Sequence, residues 1–272
     1  MKGVVLYGSQ SDKVFFDDCL EKLKPHSEFN FEVLSAHRDA EKLRTLCQSL
    51  DAQYVIAGAG LSAALPGCVA SQTKVPVFGV PLPSCFGGLD AFLTSLQMPK
   101  GTPVATCAPY NEKSIMDFIE AMKGEKWSKE KRVNVYVDSL VQPYEYVDKA
   151  LKKLTELAEE ESIQLEVTNQ FNPDYWNILL VHQEKEIVLK PNCLHVPMMN
   201  KQTVDNPSRA LSLFGLAEKG GLWFGVNNCI NLYASGPVIS TCLSTATSHK
   251  MAFSIKFQKF CSGFPKSRGI YM

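Results

Sequence analysis

Apolar runs of two kinds alternate along residues 3–106. Short, nearly unbroken runs such as GVVLYG (3–8), QYVIAGAG (53–60) and VPVFGVP (75–81) read as strands buried on both faces. The segment FNFEVLSA (29–36) reads as a strand through the alternation of Phe29, Phe31 and Val33, and TPVATCA (102–108) as another. Between them lie segments with helical spacing: DKVFFDDCLEKLK (12–24), DAEKLRTLCQSL (39–50), SAALPGCVASQT (62–73) and GGLDAFLTSLQM (87–98). In the second of these, Leu43, Leu46, Cys47 and Leu50 share a face, and Asp39 is placed to cap its start. NEKSIMDFIEAMKG (111–124) adds a helix. Strand–helix alternation of this kind predicts a parallel sheet with helices on both faces.

The pattern breaks at the charged run KGEKWSKEKR (123–132) and then restarts. RVNVYVDSL, IQLEVTNQ, WNILLVHQ, CLHVPMMN and LWFGVN read as strand-bearing segments, and PYEYVDKALKKLTELAEEE and NPSRALSLFGLAEKGG as helices. VVLYGS and NVYVDS open their halves alike, and both halves later run VP, turn, helix, KG, strand. The expectation is an internal duplication with a first domain at 1–123, a linker at 124–131, a degenerate second α/β copy at 132–245 and a basic tail at 246–272. The second copy lacks a counterpart of GLSAALPGCVASQT, because EKEIVLKPNC is too short for a crossover helix. Two unrelated α/β segments are the alternative.

Composition narrows the function class. The 272 residues are 45% hydrophobic and 21% charged, with a formal net charge of zero. Nothing global therefore attracts nucleic acid or an anionic membrane. No run approaches the roughly 20 apolar residues of a spanning helix, and the N-terminus lacks the apolar core of a signal peptide. Nine scattered cysteines without a C-x-x-C pair point to reduced thiols in the cytoplasm, not to disulfides or a metal site. After Glu218 there is no Asp or Glu, so the C-terminal end is basic.

Three turns hold chemistry, and in a parallel sheet all three fall on the edge where ligands bind. In GSQSD (8–12), Gly8 permits a tight turn, Ser9 and Ser11 offer hydroxyls beside a helix N-terminus, and Asp12 can accept from a sugar diol. Plain N-capping explains the same residues. In the turn formed by Ser35, Ala36, His37 and Arg38, the arginine offers a bidentate fork to a phosphate and the histidine a proton shuttle near neutral pH. Two incidental cationic residues on a solvated loop are the plainer reading. In AGAG (57–60), the absence of bulk at Ala57, Gly58, Ala59 and Gly60 lets a flat ligand approach the backbone, or lets a helix pack tightly. Phosphate donors, a diol acceptor and one shuttle on one edge suggest an enzyme acting on a sugar phosphate with an attached base.

GSQSD, SAHR, AGAGLSAALPG, VPVFGVP and QMPKG, in this order and spacing, resemble the aminoimidazole ribonucleotide carboxylase family of purine biosynthesis, over about residues 3–120. The resemblance implies a three-layer α-β-α parallel-sheet domain, flavodoxin-like or Rossmann-like, followed here by a degenerate repeat. It implies that Ser9, Asp12 and Arg38 bind the ribose phosphate with Ser11 and Ser35 nearby, that His37 is the general acid–base, and that Ala59 and Gly60 line the site by backbone. It implies no metal and no cofactor, a small-molecule ribonucleotide as partner, and a homo-oligomer, a tetramer of two-domain chains. Arg38 after His37 and the QMPKG segment fit the 5-(carboxyamino)imidazole ribonucleotide mutase branch; the direct carboxylase typically has lysine there. Ser62 matches the carboxylase branch, and Ala64 stands where mutases carry a second histidine. Mutase, direct carboxylase using carbon dioxide, and a silent ribonucleotide-binding protein therefore all remain open. His182 and His195 lie in strand-like runs and read as packing residues.

Overall fold

The computed structural model describes residues 1–123, 132–160, 163–182 and 188–229. The expected linker 124–131 and tail 246–272 lie outside the described residues, as does the end of the second copy.

In the first half, strands β1 (Lys2–Tyr7), β2 (Glu28–Val33), β3 (Tyr54–Ala59), β4 (Val77–Pro81) and β5 (Ala105–Thr106) alternate with helices. These are α1 (Lys13–Leu23), α2 (Ala40–Gln48), α3 (Ala64–Ala70), α4 (Leu89–Leu96) and α5 (Lys113–Lys123). The second half holds β6 (Arg132–Val137), α6 (Glu145–Glu160), β7 (Gln164–Thr168), β8 (Trp176–Val181), β9 (Cys193–Pro197), α7 (Lys201–Val204), α8 (Ser208–Ala217) and β10 (Leu222–Trp223). The alternation read from the sequence is present, with shifted ends. β2 begins one residue before Phe29 and stops at Val33, which leaves Ser35 and Ala36 in the turn. The short helix α7, capped by the Asn200 side chain on Thr203 N–H, is too brief to show a period in the sequence.

All ten strands form one sheet in the order β2-β1-β3-β4-β5-β10-β9-β8-β6-β7. Every pairing is parallel except β5 with β10, which meet antiparallel at Thr106 and Trp223. The expected wholly parallel sheet thus reverses once, at the seam between the halves. Buried residues of α1, α5 and α6 cover one face with Val5, Tyr7, Val133 and Ile178. Residues of α2, α3 and α4 cover the other face of the first half, and α4 and α8 continue over the seam.

The face opposite α6 is finished differently in the second half. Residues 169–175, between β7 and β8, form no helix, whereas α2 fills that place in the first half. Here the strands carry buried asparagines. Asn134 donates to Asn177 Oδ1 at 2.8 Å and to the Gln170 carbonyl at 3.0 Å. Asn177 donates to the carbonyls of Asn172 and Tyr175, both at 2.7 Å. A loop laid on a sheet brings backbone polar groups that must be paired, and these side-chain amides pair them.

His195, on β9, is fully buried and stacks on Trp223 with centroids 4.7 Å apart. It is a packing residue, as its place in an apolar run suggested. Nδ1 lies 3.0 Å from the Leu222 carbonyl and Nε2 2.9 Å from the Val188 carbonyl. A neutral ring can donate to only one of them. Burial outweighs both carbonyls and holds the pKa below its ordinary value. A base whose folded pKa is depressed binds fewer protons folded than unfolded, so stability is full above the ordinary histidine value and is lost as pH falls through the folded one. The melting temperature should therefore drop between about pH 7 and pH 5, with a shallower slope in His195→Gln by scanning fluorimetry.

Candidate functional site

The site is built where β1 lies hydrogen-bonded between β2 and β3. Tyr7 pairs with Val33 on one side and Gly58 on the other. Beyond this register the Leu34 N–H donates to the Tyr7 carbonyl at 2.9 Å, and the Gly8 N–H donates to the Gly58 carbonyl at 3.1 Å. The Leu82 N–H donates to the Ala59 carbonyl at 3.0 Å, which brings in the turn after β4. Adjacent parallel strands lie about 4.8 Å apart, so the turns after β2, β1, β3 and β4 stand side by side on one edge.

In the turn after β1, Ser9 is extended and caps a single 3-10 turn over Gln10–Asp12. Its hydroxyl accepts from Ser11 N–H at 3.2 Å and from Ser11 Oγ at 2.8 Å. For Ser9, the capping reading is therefore present in the structure. Asp12 occupies the N-cap position of α1 without a side-chain capping bond. Its partly buried carboxyl is lifted above its ordinary pKa by burial, against the hydrogen bonds of Ser11 and Ser9. Gly8 does not have a positive φ, and a Cβ there would come no nearer than 4.0 Å to Ala59. The turn does not require glycine, contrary to the reading of Gly8, and the space above it is open.

In the turn after β2, Asp39 does not cap α2 with its side chain. Its carboxylate instead accepts from the Ser35 N–H at 2.9 Å, while its own N–H donates to the Ser35 carbonyl at 2.8 Å. Ser35 Oγ accepts from the Arg38 N–H at 3.3 Å. These bonds hold the turn and leave the side chains of His37 and Arg38 exposed, without ion pairs or side-chain hydrogen bonds among the described residues.

In the third turn the reading of AGAG divides. Ala57 is fully buried, and a Cβ on Gly58 would stand 2.3 Å from the Tyr7 ring. These two positions serve packing, because the Tyr7 ring occupies the space that Gly58 leaves. Ala59, the last residue of β3, is buried as well, and Gly60 comes out partly exposed at the edge, where it abuts Ser84 of the next turn. Ser62 follows at φ 53°, and Ala64 opens α3. The sequence reading passed over the turn after β4, residues 82–88, although the rule that selected the other three turns also selects it.

A separate hollow lies at the seam, where Asn111, Ser114 and Lys113 of the first half face Lys190 and Lys219. Lys113 is held by Asp117 at 2.7 Å. Among the described residues no cluster of histidine, cysteine, aspartate or glutamate could hold a metal ion, and no helix is long and apolar enough to cross a membrane. The seven cysteines of the described residues are free.

Residues 2–116, which contain all four turns, match the family described as AIR carboxylase. The N5-carboxyaminoimidazole ribonucleotide mutase of Saccharolobus solfataricus is 42% identical over 112 residues, which cover 39% of this chain and 71% of that protein. The chain belongs to the AIR carboxylase family. Its similarity to the Methanocaldococcus jannaschii N5-carboxyaminoimidazole ribonucleotide mutase is 45% over 103 residues, 38% of this chain and 66% of that one. The chain thus spans about two thirds of the length of the curated relatives it matches. The crystal structure of Treponema denticola PurE aligns with a TM-score of 0.40 at 24% identity, covering 58% of this chain and 97% of that one.

The lifted Asp12 carboxyl makes a prediction about the unliganded protein. A carboxyl with a raised folded pKa stabilises the fold below the ordinary aspartate range, and that contribution is lost as pH rises through the folded value. At neutral pH the ionised group works against folding. Asp12→Asn should raise the melting temperature of the protein at pH 7, measured by scanning fluorimetry, and the gain should shrink as pH falls toward the ordinary aspartate range.

Proposed function

We propose that this chain is a 5-(carboxyamino)imidazole ribonucleotide mutase, which moves a carboxylate from the exocyclic nitrogen to ring carbon C4 in purine biosynthesis. The observation that carries the reading is the pairing of an unengaged His37 and Arg38 with Asp12 on one strand edge, within the segment matching the family. The relatives it resembles at 42–45% identity are named as mutases, which favours this branch over the direct carboxylase.

Each residue has a physical task. Arg38 receives the phosphate as a planar fork, with Ser9 and Ser11 beside it at the start of α1. Asp12 accepts from the ribose diol, and Ser35 holds the turn that presents His37. Ala59 and Gly60 admit the imidazole to the backbone. Protonated His37 donates to the exocyclic nitrogen as the N–C bond breaks, the bonding pair stays on nitrogen and carbon dioxide is released. C4 attacks the trapped carbon dioxide. Neutral His37 then takes the C4 proton, so the ring regains aromaticity and the histidine its starting state. Retention of carbon dioxide beside C4 gives it a high effective concentration. The chemistry needs no cofactor and suits a cytoplasmic enzyme.

His37→Asn should abolish turnover while ribonucleotide binding stays within about tenfold, because the shuttle acts in the chemical step. The substrate itself is tested by a paired assay at equal enzyme concentration. One arm supplies N5-carboxyaminoimidazole ribonucleotide; the other supplies aminoimidazole ribonucleotide with bicarbonate and carbonic anhydrase. Faster turnover in the second arm at millimolar carbon dioxide assigns the chain to the direct carboxylases.

The second half is a degenerate copy of the first, on this reading. Its strands run β7-β6-β8-β9-β10, the same order as β2-β1-β3-β4-β5, and the two sets meet antiparallel through β5 and β10. Domain limits at 1–123 and 132–245 suit that order. The copy carries DSLVQ where the first half has GSQSD, and VTNQFN where it has SAHR, so it holds no catalytic set. The chains assemble as a homo-oligomer of two-domain subunits, four to a tetramer. Calorimetric titration should give one ribonucleotide per chain; two equivalent sites would overturn the degenerate-copy reading.

A further inference from the structure

Three of the four non-glycine residues with positive φ among the described residues are Ser62, Phe86 and Tyr110. They follow β3, β4 and β5, all on the edge that carries His37. Left-handed backbone is unfavourable for a bulky side chain, and such outliers gather where a ligand is handled. Tyr110 has a local explanation, because its ring packs on Phe15 at 6.2 Å. Phe86 has none. Its φ is 50°, the residue is 83% exposed, and it makes no ring contact among the described residues. Exposure and backbone strain both oppose this placement, and no ring contact among the described residues offsets them.

The turn that bears Phe86 is anchored at both ends. At one end, Leu82 is hydrogen-bonded to the Ala59 carbonyl and Ser84 abuts Gly60. At the other, Gly88 is wedged so tightly that a Cβ would lie 2.7 Å from Pro109. Between the anchors, Gly87 has φ 67° and open space where a Cβ would be. Phe86 therefore stands on a short 3-10 turn, held by the Gly88 N–H on the Cys85 carbonyl at 2.8 Å and the Leu89 N–H on the Phe86 carbonyl, in the loop that meets Ala59 through Leu82 and Gly60 through Ser84. Ala59 and Gly60 are where the ribonucleotide reading places the flat ring.

We propose that Phe86 is a substrate-binding residue that stacks on the imidazole ring of the ribonucleotide and closes the site from the β4–α4 side. The proposal rests on the ribonucleotide reading of this edge. An aromatic face suits a planar heteroaromatic ring, and the contact excludes water from the carboxyl group being transferred. Phe86 reads the ring, whereas Arg38 and Asp12 read the phosphate and sugar.

The test compares two probes, 4-carboxy-5-aminoimidazole ribonucleotide and ribose 5-phosphate, which lacks the ring. In Phe86→Ala, affinity for the ribonucleotide should fall by about tenfold or more, the scale of one base–aromatic stack, while ribose 5-phosphate binds as before. KM should rise with kcat changed by less than about threefold. Phe86→Tyr should keep affinity near the wild type, and the indole emission of Phe86→Trp should change on ribonucleotide binding but not on ribose 5-phosphate binding. Unchanged ribonucleotide affinity in Phe86→Ala overturns the proposal, as does an equal loss for both probes. A changed sedimentation coefficient in Phe86→Ala also overturns it, because the ring would then serve contacts between copies. If the wild type binds neither probe, the ribonucleotide reading itself fails, and this proposal fails with it.

Discussion

Tyr7 is the residue on which the site depends. Its backbone is paired on both sides, to Val33 and Gly58, and its carbonyl receives the Leu34 N–H where the chain leaves β2. Its ring fills the space that Gly58 leaves and packs edge-on to Phe16 of α1, centroids 5.6 Å apart. One side chain thus ties β1, β3 and α1 together directly beneath the turns. A rigid floor of this kind lets the residues above it remain open and polar without losing their relative positions.

Above that floor, local hydrogen bonds shape the turns while leaving the reactive groups unengaged. Asp39 gives its carboxylate to the backbone of Ser35, and Ser35 gives its hydroxyl to the N–H of Arg38. His37 and Arg38 contribute no side-chain bond to this arrangement. Ser9 is partly committed to capping, which pre-positions it, and Asp12 is half-withdrawn from water without a compensating cation among the described residues.

The two halves show how one strand order is completed by different means. Where α2 and α3 cover the first half with apolar residues, the second half lays loop backbone over Asn134 and Asn177. Helices satisfy their own backbone and need only apolar surface beneath them. A loop needs side-chain partners for its carbonyls, so the strands below it must carry amides.

The alternation of strands and helices, the ordering of three of the four turns and the candidacy of His37, Arg38, Asp12, Ser9, Ser11, Ser35, Ala59 and Gly60 were legible in the sequence. Each follows from local periodicity, turn chemistry or short motifs, which act within a few residues. What was not legible depended on partners distant along the chain. The role of Gly58 is set by a ring on the neighbouring strand β1, distant along the chain, so an AGAG run could not reveal that Ala57, Gly58 and Ala59 are buried while Gly60 comes out at the edge. Asp39 looked like a helix cap, and only the folded turn showed its carboxylate directed back to Ser35. The antiparallel seam of β5 and β10 and the exposed, strained Phe86 came from the tertiary structure alone. Strand direction at a seam and side-chain exposure are decided by how distant elements meet, and local sequence pattern does not encode that.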